Sequence, residues 1–273
     1  MISIIVPTYK NPTCLDILIQ SIVDSAAKSD FEMIVMIDGY IDMYDAVIAK
    51  YKYDWLKVHG RANNVGMAMA LNNAVSVANG DYILVINDDN VMPPNWLSNI
   101  NELIANDSDD TKRVITLNQI ERHAGSIFGF IHHDCGDFDN FNYLKYIDYV
   151  NSCASNEIVD HDGGIFPFLM KKKWYMVVGG FDVIYDSPFM CDWDFFLKLE
   201  MLGCTFHRAT SVILYHFGSV STKRNPTESE QFKAGEQQAA QIFIYKWGFN
   251  PTIQPITNSH RPGTGIIVRG VTF

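Results

Sequence analysis

Short strand-forming runs alternate with helix-forming stretches through the first hundred residues, and this alternation constrains the fold more than any other feature. The predicted strands cover residues 3–6, 31–37, 57–59 and 82–86. One predicted helix begins at Pro12, and the others cover residues 44–53, 66–78 and 93–104. Near-continuous apolar strands that alternate with helices are typical of a parallel sheet covered on both faces. The sequence therefore predicts an α/β fold in which ligands bind at the carboxyl ends of the strands.

The pattern weakens after Asn118 and becomes regular again near residue 165. Residues 121–162 are polar and aromatic without clear periodicity, so we interpret them as a long irregular excursion or lid. The later predicted elements are strands over 165–170 and 211–216 and helices over 192–202 and 228–247. The tail after Pro251 is expected to wrap loosely over the same domain. The chain has no repeat, low-complexity tract or linker, which favours one continuous domain.

The charge balance limits the class of ligand. The 273-residue chain is 48% hydrophobic, which is enough for a buried core, and its formal net charge is −10. A field of this sign repels a phosphate backbone, so binding to nucleic acid or to an anionic membrane is not expected. An anionic ligand would therefore need a local basic cluster or a metal ion.

Cysteine usage and the N-terminus indicate the compartment. The five cysteines are odd in number and form no Cys-x-x-Cys pair, which predicts reduced thiols and a cytoplasmic protein. The N-terminus has no basic stretch and reaches Pro7 after a few apolar residues, so we interpret it as a strand. No apolar run approaches the ~18 residues of a membrane-spanning helix, and no transmembrane segment is expected.

Several common catalytic motifs are absent from the sequence. No G-x-G-x-x-G opens a helix, and there is no G-x-x-x-x-G-K-[ST], G-x-S-x-G or H-E-x-x-H. His132-His133-x-Cys135 fits no standard zinc spacing with Cys153 or His161, so we interpret these as loop residues. Dehydrogenase, P-loop NTPase, serine hydrolase and zincin activities are therefore not expected.

Carboxylates follow two of the predicted strands. Asn87-Asp88-Asp89 comes directly after the run that ends at Ile86, and Asp38 follows the run that ends at Ile37. Carboxylate oxygens at the end of a buried strand suit Mg²⁺ or Mn²⁺ bound to phosphates. The alternative is a solvated turn, because Asn and Asp favour turns through local hydrogen bonds.

Further polar motifs stand at neighbouring positions of the predicted sheet. They are Pro7-Thr8-Tyr9, Asn63-Asn64-Val65-Gly66, Gly179-Gly180-Phe181-Asp182, Cys191-Asp192-Trp193-Asp194 and Tyr215-His216-Phe217-Gly218. The segment around Gly66 opens a helix, where free N–H groups and small residues allow close approach of an anion.

In their order and spacing, these motifs resemble inverting glycosyltransferases of family 2, which have the GT-A fold. The resemblance covers residues 1–218. It implies a Rossmann-like, mixed but mostly parallel sheet with helices on both faces. It also implies a nucleotide-binding half over 1–118 and an acceptor and catalytic half over 119–218. Residues 219–273 would form a C-terminal helix and tail on the same domain.

The resemblance assigns residues to a nucleotide-sugar donor. Pro7, Thr8 and Tyr9 would line the base and ribose, Asp38 would bind the base, and Asp88 would face the ribose. The remaining candidates for donor contact are Arg61, Asn64, Gly66, Gly180 and Asp182.

The resemblance also implies a metal site and a general base. Asp89 and His216 would hold Mn²⁺ or Mg²⁺ beneath the diphosphate, although Asn87 replaces the family's first acidic residue. Asp192 would be the base, and Cys191 replaces the usual Glu before it. The residues leave alternatives open, since Asp194 could be the base instead. Asp192 could also be a helix N-cap, and His216 a structural histidine.

The expected function is metal-dependent, inverting transfer of a sugar from a nucleotide-diphosphate donor, with UDP-sugars favoured. The acceptor would be a hydroxyl of a glycan or of another molecule. In a single displacement, a cation neutralises the leaving diphosphate while a carboxylate on the opposite face takes the acceptor's proton. The alternative is a catalytically silent sugar-nucleotide-binding protein with the same fold, because Asn87 and Cys191 depart from the family pattern.

Overall fold

The computed structural model describes residues 1–25, 30–122, 130–153, 155, 157–160, 163–185, 189–218 and 226–249. Its strands are β1 Ile2–Thr8, β2 Phe31–Asp38, β3 Leu56–Arg61, β4 Tyr82–Val85, β5 Asn90–Val91, β6 Arg113–Glu121, β7 Phe130–His132, β8 Ile158–Asp160, β9 Phe168–Lys171 and β10 Thr205–His216. Its α-helices are α1 Pro12–Ser25, α2 Asp45–Lys50, α3 Met67–Val77, α4 Trp96–Ile104, α5 Tyr143–Cys153, α6 Lys172–Val177, α7 Cys191–Met201 and α8 Pro226–Trp247. A 3₁₀ turn, Ile41–Tyr44, precedes α2.

These strands form one sheet in the order β3-β2-β1-β4-β9-β6-β10-β5, with β7 beside β6 and β8 beside β10. Strands β1 to β4 are parallel where they pair. Strand β9 runs against both β4 and β6, and β10 runs parallel to β6. Because β9 is antiparallel to both β4 and β6, those two strands run in the same direction. The carboxyl ends of β1, β2, β4, β6 and β10 therefore lie at the same edge of the sheet. The predicted mixed, mostly parallel sheet is confirmed.

Helices cover both faces of this sheet, as the sequence predicts. Successive strand residues point to opposite faces. In β1, Ile5 packs in the core cluster that contains the residues of α3 and α7. Its neighbours Ile4 and Val6 pack in the cluster that contains the residues of α1 and α4. Both sets of strand side chains are fully buried, so each strand reads as a continuous apolar run.

The segment over 121–162 is more regular than predicted. The irregular excursion expected there contains helix α5 and the short strands β7 and β8, so that prediction is wrong over the described residues. The buried face of α5 is carried by Tyr146, whose hydroxyl donates to the carbonyls of Val91 (3.2 Å) and Ile213 (2.8 Å). Tyr146 fills a core position, but its hydroxyl makes it look like a surface residue in the sequence. The helical periodicity of α5 is therefore hidden.

The helix predicted over 44–53 is also wrong at its end. Helix α2 stops at Lys50, and Tyr51 is extended. The Tyr51 hydroxyl donates to the carbonyl of Asp16 on α1 at 3.2 Å, and Tyr53 stacks on Trp55. These tertiary contacts favour an extended chain over another helical turn.

Helix α8 is packed on the core rather than separate from it. Ala239, Phe243 and Trp247 belong to the cluster that contains the residues of α3 and α7. The tail predicted to wrap over the domain lies in residues 250–273, outside the described residues. None of the helices in the described part of the chain is both long and apolar enough to cross a membrane.

A buried carboxylate joins the strands at the amino edge of the sheet. Glu32 of β2 accepts hydrogen bonds from Ser3 (2.7 Å), from the Asn79 side chain (3.1 Å) and backbone, and from Lys57. Burial opposes ionisation of this group, but the donors prevail and lower the pKa of Glu32 to about 2. The ionised carboxylate therefore stabilises the folded state.

We expect the contribution of Glu32 to be lost on acidification. The folded pKa lies below the ordinary value of 4.5, so the stabilisation is present above pH 4.5 and declines as the pH falls towards about 2. A shift of this size corresponds to roughly 3 kcal/mol. The Glu32→Gln variant should therefore unfold at lower urea concentration than wild type at pH 7, with a gap that narrows below pH 4.5.

The matched control is Glu102→Gln, which changes an exposed glutamate. This variant should unfold at the same urea concentration as wild type at every pH. If the difference in urea stability between Glu32→Gln and wild type stays constant from pH 7 to pH 3, the stabilisation does not come from the ionised Glu32 carboxylate.

Candidate functional site

The polar residues predicted at strand ends lie along the carboxyl edge of the sheet. Thr8 ends β1, Asp38 ends β2, and Arg61 ends β3 beside Asp38. Asp88 and Asp89 follow β4, and β10 ends at His216. The parallel arrangement of these strands brings residues together that are up to two hundred positions apart in the sequence.

Asp88 fixes the loop that follows β1. Its carboxylate accepts hydrogen bonds from the Thr8 hydroxyl (2.6 Å), the Asn11 side-chain amide (3.1 Å) and the backbone N–H of Tyr9. The Tyr44 hydroxyl lies beneath the same loop, 2.8 Å from Thr8 Oγ1 and 2.9 Å from the Asn11 backbone nitrogen. Burial, with the charge of Asp89, raises the pKa of Asp88 to about 7. The end of β1, which contains Pro7 and Thr8, and the loop that begins at Tyr9 are thus fixed by hydrogen bonds with Asp88 and Tyr44.

Asp38 fixes the loop before α3 in the same way. Its carboxylate accepts hydrogen bonds from the Asn64 side chain (2.8 Å) and from the backbone N–H groups of Val65 (2.8 Å) and Gly66 (2.9 Å). Burial raises the pKa of Asp38, while these N–H groups and the charge of Arg61 oppose that shift. A carboxylate has about four acceptor positions, so Asp38 can accept one further donor.

Gly66 is required by the backbone at the start of α3. It precedes the helix with a φ of 89°, a conformation that side chains with a Cβ rarely adopt. Gly39 approaches the same loop, and a Cβ at that position would lie 2.9 Å from the Asn64 backbone nitrogen. The two loops are therefore packed backbone to backbone.

Aromatic rings cover the surface next to these loops. Tyr9 and Tyr40 meet edge to face with their ring centres 5.8 Å apart. The Lys10 ammonium lies 4.4 Å from the centre of the Tyr40 ring and 5.1 Å from that of Tyr9. Tyr40 was not among the predicted residues, because nothing local distinguishes it from an ordinary turn residue.

A histidine lies between two carboxylates at the ends of β4, β6 and β10. His216 Nε2 is 3.0 Å from Asp89 Oδ1, and His216 Nδ1 is 2.5 Å from Glu121 Oε1. Burial alone lowers the pKa of His216, but the two carboxylates raise it to about 10. Asn87 Nδ2 lies 3.4 Å from His216 Nε2, on the same side as Asp89. The sequence predicts Asp89 and His216 at one site but gives no sign of Glu121.

The contact between His216 Nε2 and Asp89 Oδ1 is an ion-pair hydrogen bond. Its 3.0 Å length would also let these two atoms hold neighbouring positions around a divalent ion, since such positions are about 3 Å apart in an octahedral site with ~2.1 Å bonds. The described residues contain no group of three or more His, Cys, Asp or Glu side chains arranged for a metal. A divalent ion here would therefore take its other ligands from phosphate or water.

Helix α7 carries two aspartates in different environments. Phe195 and Phe196 pack on Phe168, whose register partner in β4 is Val85, so the middle of α7 lies near the end of that strand. Asp192 is half-buried in the first turn, and burial raises its pKa to about 6. Cys191, which replaces the family's Glu, is fully buried in the core.

Asp194 joins α7 to α8. It is fully buried, and its Oδ1 accepts hydrogen bonds from the Trp247 indole (2.8 Å) and the Lys246 ammonium (2.7 Å). Lys198 lies 3.6 Å from the other oxygen. These contacts place Asp194 inside the packing between two helices, which explains its presence without a chemical role.

The Gly-Gly turn before α7 is attached to α3 and α8. Asn72 of α3 bonds the backbone of Phe181 in both directions, at 2.8 and 2.9 Å, and a Cβ on Gly180 would strike its side chain. Asp182 accepts a hydrogen bond from Lys246 at 2.5 Å and one from the Ile184 N–H at 3.0 Å. Gly180 and Asp182, predicted to contact the donor, thus have evident structural partners.

Replacing Asp194 should destabilise the protein. Asp194→Ala leaves Lys246 and the Trp247 indole without a buried acceptor, which typically costs 3–5 kcal/mol. We expect a clear fall in the midpoint of thermal unfolding. The matched control is Asp192→Ala, on the same helix turn, which should change that midpoint little. Equal losses for the two variants would contradict a structural role specific to Asp194.

Comparisons with known proteins agree with this geometry. The family model described as "Glycosyl transferase family 2" matches residues 3–147. An uncharacterized glycosyltransferase of Haemophilus influenzae is 24% identical over 247 residues, which cover 84% of this chain and 74% of that protein.

Solved structures share the fold at low identity. The crystal structure of residues 1–349 of TarS from S. aureus has a TM-score of 0.56 and 14% identity, over 93% of this chain and 75% of that one. The same TarS fragment in complex with UDP-GlcNAc has a TM-score of 0.57 and 15% identity, over 89% and 66%. GalNAc-T7 with UDP, GalNAc and Mn²⁺ has a TM-score of 0.59 and 12% identity over 79% of this chain. This chain spans only 43% of the GalNAc-T7 chain.

The structural neighbours show the GT-A fold, in agreement with the predicted fold class. Because the family model covers more than half of the 273 residues, the chain belongs to glycosyl transferase family 2, a family of glycosyltransferase enzymes.

Proposed function

We propose that the chain transfers a sugar from a nucleoside-diphosphate donor, with a UDP-sugar favoured, to a hydroxyl of a glycan or another acceptor. The reaction is a metal-dependent single displacement that inverts the anomeric carbon. The observation that supports the proposal is the Asp89–His216 pair, a carboxylate and an imidazole in contact at the carboxyl edge of the sheet beside the two loops described above.

The two loops form the nucleotide subsite. Tyr9 offers an aromatic face, Asp38 retains one acceptor position, and Arg61 adds positive charge beside it. Thr8 and Asn64 shape the loops through the bonds described above, and Pro7 precedes Thr8 at the end of β1. The complexes of TarS with UDP-GlcNAc and of GalNAc-T7 with UDP support a UDP-sugar as the donor.

The metal subsite fits Mn²⁺ better than Mg²⁺. A carboxylate oxygen suits either ion, but an imidazole nitrogen favours a transition metal. Asp89 and His216 would supply one ligand of each kind, and the donor diphosphate would complete the coordination. When bound, the ion neutralises negative charge on the leaving diphosphate.

Asp192 is the general base. It is half-buried at the start of α7, the helix whose Phe195 and Phe196 pack on Phe168 beside the end of β4, and burial raises its pKa to about 6. A base of this pKa is ionised near neutral pH yet accepts a proton readily. Asp192 takes the proton of the acceptor hydroxyl while the oxygen of that hydroxyl bonds to the anomeric carbon. The bond from that carbon to the diphosphate oxygen breaks, and the nucleoside diphosphate leaves.

Substitution of Asp89 should remove the metal dependence of donor binding. In wild type, Mn²⁺ should tighten UDP binding, and UDP at ~100 Kd should stabilise the protein by roughly 2.7 kcal/mol. In Asp89→Asn, Mn²⁺ should no longer tighten UDP binding, and sugar transfer should fall at least ~10²-fold, because a bound ion is worth several kcal/mol. Thermal shift and UDP release from UDP-sugars measure the two effects.

The control for this experiment is Asp109→Asn, which changes an exposed aspartate far from the site. Transfer that continues unchanged in EDTA would refute metal dependence. Donor binding with no turnover on any acceptor would favour the alternative of a silent nucleotide-sugar-binding protein.

Substitution of Asp192 should separate chemistry from binding. Asp192→Asn should lower the transfer rate by ~10²–10⁴-fold while UDP affinity stays within a few-fold of wild type. Because the base must be ionised, kcat/KM of wild type should rise with pH through about 6 and level off above it. A pH profile of UDP release from wild type and Asp109→Asn measures this.

Retention of most activity in Asp192→Asn would overturn its role as the base. Loss of UDP affinity equal to the loss of rate would assign Asp192 to donor binding instead.

A further inference from the structure

Glu121 is a carboxylate beside the candidate metal site to which neither the sequence motifs nor the family resemblance gives a role. It ends β6, the strand parallel to β10, and the register pairs Ile120 with Tyr215. Glu121 and His216 are therefore neighbours across two adjacent strand ends. The Glu121 side chain is 18% exposed and that of His216 10%, so the contact is largely shielded from water.

The geometry gives the two ring nitrogens of His216 different partners. Nδ1 contacts Glu121 Oε1 at 2.5 Å, whereas Nε2 contacts Asp89 Oδ1 at 3.0 Å. An ionised carboxylate can only accept, so the hydrogen on Nδ1 points to Glu121. The hydrogen on Nε2 points to Asp89 Oδ1 in this structure. A cation held on the Asp89 side would take the place of that hydrogen, while the hydrogen on Nδ1 stays directed at Glu121.

We propose that Glu121 is a positioning residue that holds His216 with Nε2 directed to the metal site. It fixes the tautomer and the rotation of the ring, so that Nε2 and Asp89 Oδ1 stay at neighbouring ligand positions. This inference rests on the proposed function, because it assumes that Asp89 and His216 hold the cation. Glu121 itself lies on the opposite side of the ring and is not a ligand.

The backbone around Glu121 makes this orientation rigid. Glu121 is paired with His132 of β7, and its carbonyl accepts from the His133 N–H at 3.2 Å. Two positions earlier in β6, Gln119 accepts a hydrogen bond from Asn90 at 2.9 Å and donates to the Phe166 carbonyl at 2.8 Å. The strand end that carries Glu121 is thus tied to the segment that carries Asp89.

The test compares Glu121→Ala, Glu121→Gln and Glu102→Gln with wild type by titrating Mn²⁺ in the presence of saturating UDP. Loss of such a supporting carboxylate typically weakens metal affinity 10–100-fold, which we expect for Glu121→Ala. In Glu121→Gln, the side-chain amide oxygen can still accept from Nδ1, so this variant should keep Mn²⁺ affinity within a few-fold. UDP affinity without Mn²⁺ and the midpoint of thermal unfolding are measured in parallel.

Each outcome has a separate meaning. A selective loss of Mn²⁺ affinity in Glu121→Ala, rescued in Glu121→Gln, supports the proposal. Unchanged Mn²⁺ affinity in Glu121→Ala overturns it, and so does an equal loss of metal-free UDP affinity, which indicates a general structural role. If Glu121→Ala does not fold, a tenfold or greater loss in the folded Glu121→Gln also overturns it. Wild type that binds UDP but no Mn²⁺ overturns the metal site of the proposed function itself.

Discussion

Buried carboxylates at the carboxyl edge of the sheet are the constraint on which the rest of the site depends. Asp88 is held by donors of the first loop, Asp38 by donors of residues 64–66, and Asp89 by His216. A carboxylate taken out of water without such donors costs several kcal/mol. The fold therefore requires these bonds, and the same bonds fix the loops of the candidate site. Stability and preorganisation of the site have one source here.

Local sequence was sufficient to predict the residues that end apolar strands. Asp38, Asp89 and His216 each follow a run of buried residues, and the parallel order of the strands brings those ends to one edge. The strand pattern thus predicts both the fold class and the position of the site. The details of contact were not predictable in this way. Asp88, assigned to the ribose by resemblance, is bonded by the first loop on both carboxylate oxygens.

The residues that the sequence analysis missed have partners far away in the chain. Glu121 contacts a residue 95 positions later, and Lys246 contacts Asp182 across 64 positions. No local periodicity signals such pairs, because they depend on the register of β6 against β10 and on where α8 is packed. Lys246 is on a helix with mostly polar exposed positions, where a lysine is ordinary. Tertiary packing, rather than propensity, decides these contacts.

Charge balance at this edge favours a cation over a basic cluster as the partner of a diphosphate. In the part of the chain that the structure describes, Arg61 faces Asp38, and Lys10 lies over the rings of Tyr9 and Tyr40. His216 lies between Asp89 and Glu121, and each of its ring nitrogens contacts a carboxylate. A diphosphate would add negative charge to an edge that is already acidic, in a chain of net charge −10. In the proposed function, a divalent ion between Asp89 and the phosphates would remove that repulsion, and His216 would give it a second ligand without adding another anion.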